Sequence, residues 1–582
     1  MRHFKVIAFV TVSLMLAIPL RGQLPQYLTE EEKALLPAYL ESLPKSSSGI
    51  ITPPASPVRT MAEWEEIDAL IVVYTSYTSI VRQIIRYARE ECEVFVVCTD
   101  SNQVKTALTN DGIPLSNIRY FHLPFNSVWV RDYGPWTVYK DDVDSIYQVD
   151  WIYNRPRPLD DTIPNAIAAY LGVPHYQTTT APYDLINTGG NLMTDGLGTG
   201  FSSKLVLDEN DGNGVHPITY PTHTEEEIDD IMLQFMGIDR YIKMETLPYD
   251  GIHHIDMHMK LLDEESLLVG EYPTGISDGP QIEANLQYVL QNFNSVFGTP
   301  YKVIRILQPP AGGQYPPAAS YRTYANAVFV NKTVLLPTYE EQYDTTALRI
   351  WREALPGYRI IGINCNQMIG AGGAVHCITK AVGSRDPLLI VHQPLEDQFG
   401  QTFTVNASIK HRSGISEAFV WYRIDTTVPF AAVPMSPAGN DMWTADITIA
   451  LADATVQYYV MAEATSGKSQ VRPLVAPDGF WTFTIGSPVA VFEQDNSRLM
   501  IGRPYPQPGR DIVTIPLDAT SDILLHAWLL DENGRLIRDM LNGTLAAGSH
   551  QVVVNGAVLN AGVYSVVMEA AGHRQTTRII IQ

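Results

Sequence analysis

The sequence predicts an α/β domain followed by two all-β domains, and three changes of texture along the chain predict it. From Met61 to about Ser384, strand-like and helix-like segments alternate. From about Pro387, short strands recur between turn residues, and from about Pro488 the strands are punctuated by Gly, Asn and Pro. At 582 residues the chain is too long for one core, and about three or four domains are expected at roughly 150 residues each.

The elements justify that reading in order. Met1 to Lys5 supplies a positive start, Val6 to Leu20 is apolar, and small Gly22 precedes polar Gln23. This is the pattern of a secretory signal peptide over residues 1–22. The apolar run is shorter than the ~20 residues a spanning helix needs, and no other stretch is apolar enough, so no stable membrane span is expected. Residues 23–60, rich in Ser and Pro near Lys45 and Pro53, read as a leader or linker. In the region 61–384, Asp68–Tyr74 is a buried strand, Ile80–Glu91 an amphipathic helix and Glu93–Thr99 a second strand. Residues 225–236 and 282–293 look helical and 266–271 strand-like, which makes the region α/β. Strands at 403–409, 418–424, 442–449, 456–464 and 480–485 suggest an immunoglobulin-like β-sandwich over 385–487. Residues 488–582 form a small all-β module that includes a strand at 512–517 and ends on Ile579 to Ile581.

Charge narrows the function. With 40 Lys and Arg against 63 Asp and Glu, the net charge is −23, a surface that repels phosphate backbones, so no nucleic acid partner is expected. Four cysteines are few for an exported chain. Cys92 and Cys98 flank a strand that holds them about 20 Å apart, beyond the ~7 Å reach of a disulfide. Spacing alone permits a bridge between Cys365 and Cys377.

Three segments place polar residues in apolar surroundings. The first runs from Asn126 to Trp136 and sets Asp132 beside Trp129, Tyr133 and Trp136, a setting for a cation, since aromatic faces attract cations and carboxylates pair with guanidinium. Taken alone, Asp132 equally pairs with Arg131 or caps a turn. The second runs from Gly251 to Lys260. Read as a strand, it aligns His254, Asp256, His258 and Lys260 on one face. His-x-Asp-x-His also offers three metal ligands, but Lys260 on that face and the lack of a fourth ligand weigh against metal. His253 and His258 read as structural. The third, Gly370 to Lys380, presents Cys377 after a glycine-rich turn, where a stabilised thiolate becomes a nucleophile.

Together these segments resemble the agmatine deiminase and bacterial, Porphyromonas-type peptidylarginine deiminase family. The matching wording is W-V-R-D-Y-G-P-W, G-G-N-x-x-x-D-G from Gly189, H-x-D from His254, T-Y-A-N from Thr323 and G-G-x-V-H-C-I-T from Gly372. The resemblance implies the pentein α/β-propeller fold over about 60–384, and a reaction without metal or organic cofactor. It implies that Asp132 and Asp256 clamp a guanidinium, Cys377 attacks it, His254 is the acid–base and Asn326 orients the thiol or adduct. It also assigns Trp129 and Ile252 to the substrate lining, and Arg155 and Arg157 to the carboxylate of a peptide ending in arginine; Gly251 stands where the family has an aromatic residue. The glycine-bearing elements Leu545 to His550 and Leu559 to Tyr564 resemble the C-terminal sorting domain of type IX secretion cargo. Expected partners are therefore arginine-containing peptides and proteins and the type IX machinery, with the enzyme secreted or surface-attached. Agmatine as substrate, or a surface protein with an inactive deiminase domain, are the alternatives. A G-x-S-x-G pattern at Gly275 to Gly279 raises a serine esterase, although Ser277 or Asp278 capping the next helix explains it more cheaply. The run from Asp208 to Asn213 fails as a calcium loop because Gly212 takes a ligand position.

Overall fold

A computed structural model describes residues 24–42, 49–212, 222–398, 400–451, 454–485, 499–510, 512–531, 534–570 and 573–582. The expected signal peptide and the junction near 487 lie outside the described residues.

The α/β region contains five small sheets among the described residues, each combining an antiparallel with a parallel pairing. In one of them, Ile67–Val73 lies parallel to Glu93–Cys98 and antiparallel to Lys380–Gly383. The first strands of the region are thus hydrogen-bonded to its last, which carries the chain from Cys377 back to its beginning. Ile67–Val73 is buried at every residue but Asp68, as an almost continuous apolar run in a covered sheet should be. Helix Thr78–Ala88 presents Ile80, Val81, Ile84, Ile85 and Ala88 to the core on one face. Helix Glu225–Met236 starts where Thr224 and Glu227 form a reciprocal capping box.

Two all-β parts follow. Leu389–Val391, Thr402–Lys410, Met442–Thr448 and Ser436–Gly439 make one sheet; Ala431–Pro434, Ile415–Arg423, Ala454–Ala464 and Ser469–Arg472 make another, with Trp481–Ile485 also paired to Ala454–Ala464. Phe403, Val405, Val420, Ile447, Val460 and Phe483 fill a shared core. Arg472 reaches back to pair with Glu264 at 2.8 Å, and Lys468 with Glu66 at 2.7 Å, tying these sheets to the α/β region. The last part, from Leu499 to the end, has its own core of Ile515, Leu525, Val566 and Ile579. All four cysteines are free thiols.

The stretch read as a leader or linker is not extended throughout. Glu30–Ser42 is a helix whose Leu36 and Leu40 bury against Ile152 and Ile186, at about 2 kcal/mol for each leucine withdrawn from water. Pro37 within it, and the prolines on either side in sequence, conceal the helix from a pattern reading.

Candidate active site

Asp132 sits on the short helical turn Val130–Tyr133 and is buried. It does not pair with Arg131. That guanidinium turns away, donating from Nε to the carbonyl of His376 at 3.2 Å and approaching Glu63 at 3.6 Å. The Asp132 carboxylate instead faces His254, whose Nδ1 lies 3.8 Å from Oδ1. Gly190 permits this approach. A Cβ there would stand 2.4 Å from His254 Nδ1 and 3.3 Å from Asp132 Oδ1, so only a residue without a side chain fits between them.

The expectation that His254, Asp256, His258 and Lys260 share the face of a strand is overturned. His254 precedes a 3₁₀ turn over Ile255–Met257, and only Met259–Leu261 is strand. The turn forms because the Asn191 side chain accepts from the backbone of Ile255 and of Ser203, replacing ladder hydrogen bonds that a strand would need. It sends the four side chains to different neighbours. His254 faces Asp132, Asp256 meets His376, and Lys260 pairs with Glu63 at 2.6 Å. The His258 ring is buried with neither nitrogen hydrogen-bonded, and burial pushes it down to about 4, which keeps it neutral. Among the described residues no three His, Cys, Asp or Glu side chains come together as a metal cage.

Cys377 and Asn326 complete the centre. Asn326 Nδ2 donates to Cys377 Sγ at 3.2 Å, and Sγ lies 3.7 Å from Asp256 Oδ2. Gly373 gives the thiol its room, since a Cβ there would stand 2.8 Å from Sγ. Burial pushes the Cys377 thiol well above its usual range, and the charges of Asp256 and Asp132 push it the same way. Burial works hardest to raise Asp256, but the hydrogen bond from His376 Nδ1 at 2.7 Å and the charges of His376, His254 and Arg131 together outweigh it and hold the carboxyl below the usual range. His376 bridges Asp256 to Glu63, which is itself held well down against burial by His376, Lys260 and Arg131. His254 is pushed down by burial, against the opposing pull of Asp132. The centre thus combines the carboxyl groups of Asp132 and Asp256, the latter held below its usual range, with an imidazole pushed down and a thiol pushed up by burial. Such a cluster attracts a planar cation, and a positive charge placed there favours thiolate.

Trp129 and Ile252 are buried at the same centre, and Ile252 and Gln26 both stand within 3.5 Å of the Cβ position of Gly372. Arg155 and Arg157 are also buried, but a part of this chain already engages them. Arg157 binds both oxygens of Glu32, and its Nη2 donates to the carbonyl of Pro25 at 2.7 Å. Arg155 Nε donates to the carbonyl of Gln26 at 3.3 Å. The sequence reading assigned no part to Glu63, His376, Asn191 or Gln26. His376 and Asn191 both stand inside motifs of the family, which is the signal that could have found them; Glu63 is 313 positions from His376.

Residues 54–382 match the family described as Porphyromonas-type peptidyl-arginine deiminase. The chain belongs to this family. As a deiminase of this family it is a hydrolase of amidine C–N bonds. It is similar to a putative agmatine deiminase of Mycoplasma mycoides, 24% identical over 294 residues, covering 45% of this chain and 77% of that one. A putative agmatine deiminase of Legionella pneumophila is 26% identical over 275 residues, covering 45% and 75%. A solved structure described as a putative agmatine deiminase shares the fold of the deiminase region, with a TM-score of 0.51 at 19% identity, over 58% of this chain and all of that one. Residues 503–582 match a secretion system C-terminal sorting domain, of the type IX kind. The deiminase is therefore marked for export to the outside or the cell surface. Among the described residues no helix is long and apolar enough to cross a membrane.

The esterase reading finds no support at Ser277, whose hydroxyl has no hydrogen-bond partner and therefore no base beside it. The expected cap is also absent. Asp278 precedes helix Gly279–Asn292 but makes no side-chain cap; its carboxylate accepts from the backbone N–H of Tyr249 instead. At the deiminase centre, Gly190→Ala should displace His254 by an ångström or so and lower ammonia release from any guanidine substrate by about 10²-fold. Turnover measured beside a thermal melt separates this local effect from unfolding.

Proposed function

We propose that this deiminase converts arginine at the end of a peptide to citrulline and ammonia through a covalent intermediate on Cys377. The observation that carries the reading is that Asp132 and His254, 3.8 Å apart, and Asp256, Asn326 and Cys377, in mutual contact, lie near enough for Cys377 to feel the charge of Asp132 and His254 that of Asp256, although they span some 245 positions of sequence. Asp132 and Asp256 bind the guanidinium edges. With that charge in place, Cys377 is the thiolate and His254 the protonated partner. Sulfur bonds to the guanidinium carbon, giving a neutral tetrahedral adduct. His254 protonates one nitrogen, the C–N bond breaks, ammonia leaves, and a thiouronium cation remains on sulfur. His254, now neutral, takes a proton from water as oxygen bonds to the same carbon. The C–S bond then breaks, returning thiolate, and the hydroxyl proton of the adduct passes to solvent as the neutral ureido product leaves; His254 keeps the proton it took from water for the next cycle. Asn326, on the sulfur, orients thiol and adduct.

Arg155 and Arg157 support a peptide substrate, because a pair of buried guanidinium forks binds a terminal carboxylate that agmatine lacks. Export by the sorting domain supports the same choice, since peptides are met outside the cell. Agmatine stays as the second reading because the curated relatives are described as putative agmatine deiminases. Within this reading the chain is a pentein propeller over 61–384, an immunoglobulin-like sandwich over 385–487 and a sorting domain over 488–582, behind a signal peptide (1–22) and leader (23–60). The five small sheets and the two-sheet core support that division.

The test offers purified protein agmatine, a peptide with terminal arginine and one with internal arginine, and measures ammonia and the ureido product. The terminal-arginine peptide is expected to turn over fastest; fastest turnover of agmatine would overturn the substrate while leaving the chemistry. Arg157→Ala should reduce the ratio of kcat/KM for terminal-arginine peptide over agmatine by about 10- to 100-fold, the equivalent of one charge-assisted pair. An unchanged ratio would remove Arg157 from substrate recognition.

A further inference from the structure

The N-terminal segment runs directly through the site. Gln26 is completely buried. Its side-chain Nε2 lies 3.3 and 3.1 Å from the two oxygens of Asp132 and 3.2 Å from His254 Nδ1. A carboxamide is planar and presents N–H groups in the plane, as one edge of a guanidinium does. The backbone on both sides is held as well. The indole of Trp129 donates to the carbonyl of Leu24 at 2.8 Å, Gln26 N donates to Ala371 at 2.8 Å, and Arg155 and Arg157 take the carbonyls of Gln26 and Pro25. Six residues on, Glu32 places both carboxylate oxygens on Arg157, at 2.8 and 3.0 Å. That carboxylate is fixed by Thr29, whose backbone N–H donates to it and whose hydroxyl caps Glu32 N. Behind it, helix Glu30–Ser42 is anchored by Leu36 and Leu40.

We infer that residues 24–42 are an intramolecular pseudosubstrate, with Gln26 in the place of the substrate guanidinium and Glu32 in the place of the substrate carboxylate. The inference rests on the deiminase reading for what is being imitated, but the blockage itself needs only the geometry. A guanidinium cannot reach Asp132 while Gln26 occupies it, and a peptide carboxylate cannot reach Arg157 while Glu32 does. A segment tethered to its own site acts at a high effective concentration and resists competition by free ligand. The segment must withdraw or be cut away before a substrate can bind. Gln26 is a poor substrate in its own right, since a neutral carboxamide brings no positive charge to lower the Cys377 thiol.

Three full-length proteins test this: the unaltered chain, a Gln26→Ala/Glu32→Ala double variant that removes both imitating groups, and a Leu36→Asp/Leu40→Asp variant that unseats the helix. Two rates are read in each, alkylation of Cys377 by a small cationic haloacetamidine, located by peptide mass mapping, and citrulline release from a terminal-arginine peptide. Thermal melts confirm that each variant is folded; should the leucine variant fail to fold, the double variant alone decides. Both rates are expected to rise by about tenfold or more, the shift that follows from removing ~1.4 kcal/mol of self-binding. Equal alkylation rates in folded variants and unaltered chain would overturn the inference. Faster alkylation without citrulline release from any variant would uphold the blocking segment and refute the terminal-arginine substrate of the proposed function, so the two failures are distinguishable.

Discussion

Replacement of Cys377 by alanine should leave a folded protein whose ammonia release from a terminal-arginine peptide falls by at least about 10⁴-fold, to the background rate. The size of the effect follows from what no neighbour can replace. Asn326 and Asp256 stand within hydrogen-bonding or contact distance of the sulfur, but an amide is no nucleophile, and Asp256 is committed to His376. The same thiol accounts for a pH signature. Burial first, and then the charges of Asp256 and Asp132, hold it well above its usual range, so an occupying cation is required to lower it. Addition of a non-reacting amidine to a variant with an open site should therefore raise the thiolate absorbance at neutral pH. A thiolate signal that is already full without the cation would contradict the cation-dependent activation. Because alanine in place of a buried thiol is a small change in volume, the melting temperature serves as a control, and activity that persists in a folded Cys377→Ala protein would remove the covalent mechanism altogether.

The second large effect is expected at Asp256. Asp256→Asn keeps the shape of the side chain and removes its charge. In the unaltered protein that charge is maintained against burial chiefly by His376, which is held by Glu63, itself paired with Lys260. Loss of one partner from a buried, hydrogen-bonded charge pair costs about 3–5 kcal/mol, so kcat/KM should fall by about 10²- to 10⁴-fold. Two consequences separate a loss of substrate binding from a loss of structure. With one negative charge gone from beside the sulfur, the Cys377 thiol should titrate lower than in the unaltered chain, and alkylation by a neutral reagent should become faster while deimination becomes slower. A variant slower in both would mean that the asparagine has disordered the site. Because Asp256 is tied to Glu63 through His376, Glu63→Gln should move the same two readouts in the same directions by smaller amounts.

What could be read before the fold was known followed the range over which each feature is set. Helix Glu225–Met236 and strand Ser266–Glu271 agree with the sequence expectation residue for residue, because their caps, periodicity and apolar runs are local. Asp132, His254 and Cys377 were legible for a similar reason, since each stands in a short run of unusual composition, whereas Asn326 was legible only through the T-Y-A-N wording of the family. Elements governed by distant partners were not. The turn at Ile255–Met257 looks like an alternating strand until the Asn191 side chain, 64 positions away, accepts from Ile255. Nothing local marks Glu63, which gains its part only when His376 arrives from 313 positions away.

The sequence by itself determined the family and the change from α/β to all-β texture, and it pointed to Cys377, Asp132, His254 and Asp256 as the chemical centre, because those are carried by short motifs whose chemistry is intrinsic to the residues. The tertiary structure decided that Gln26 meets Asp132 and Glu32 meets Arg157, and that His376 holds Asp256. Gln26 lies 106 and 228 positions from the groups it touches, and a glutamine among prolines has no local property that selects a partner. Its place is set by the helix behind it and by the buried acids in front of it, which come together only when the chain is folded.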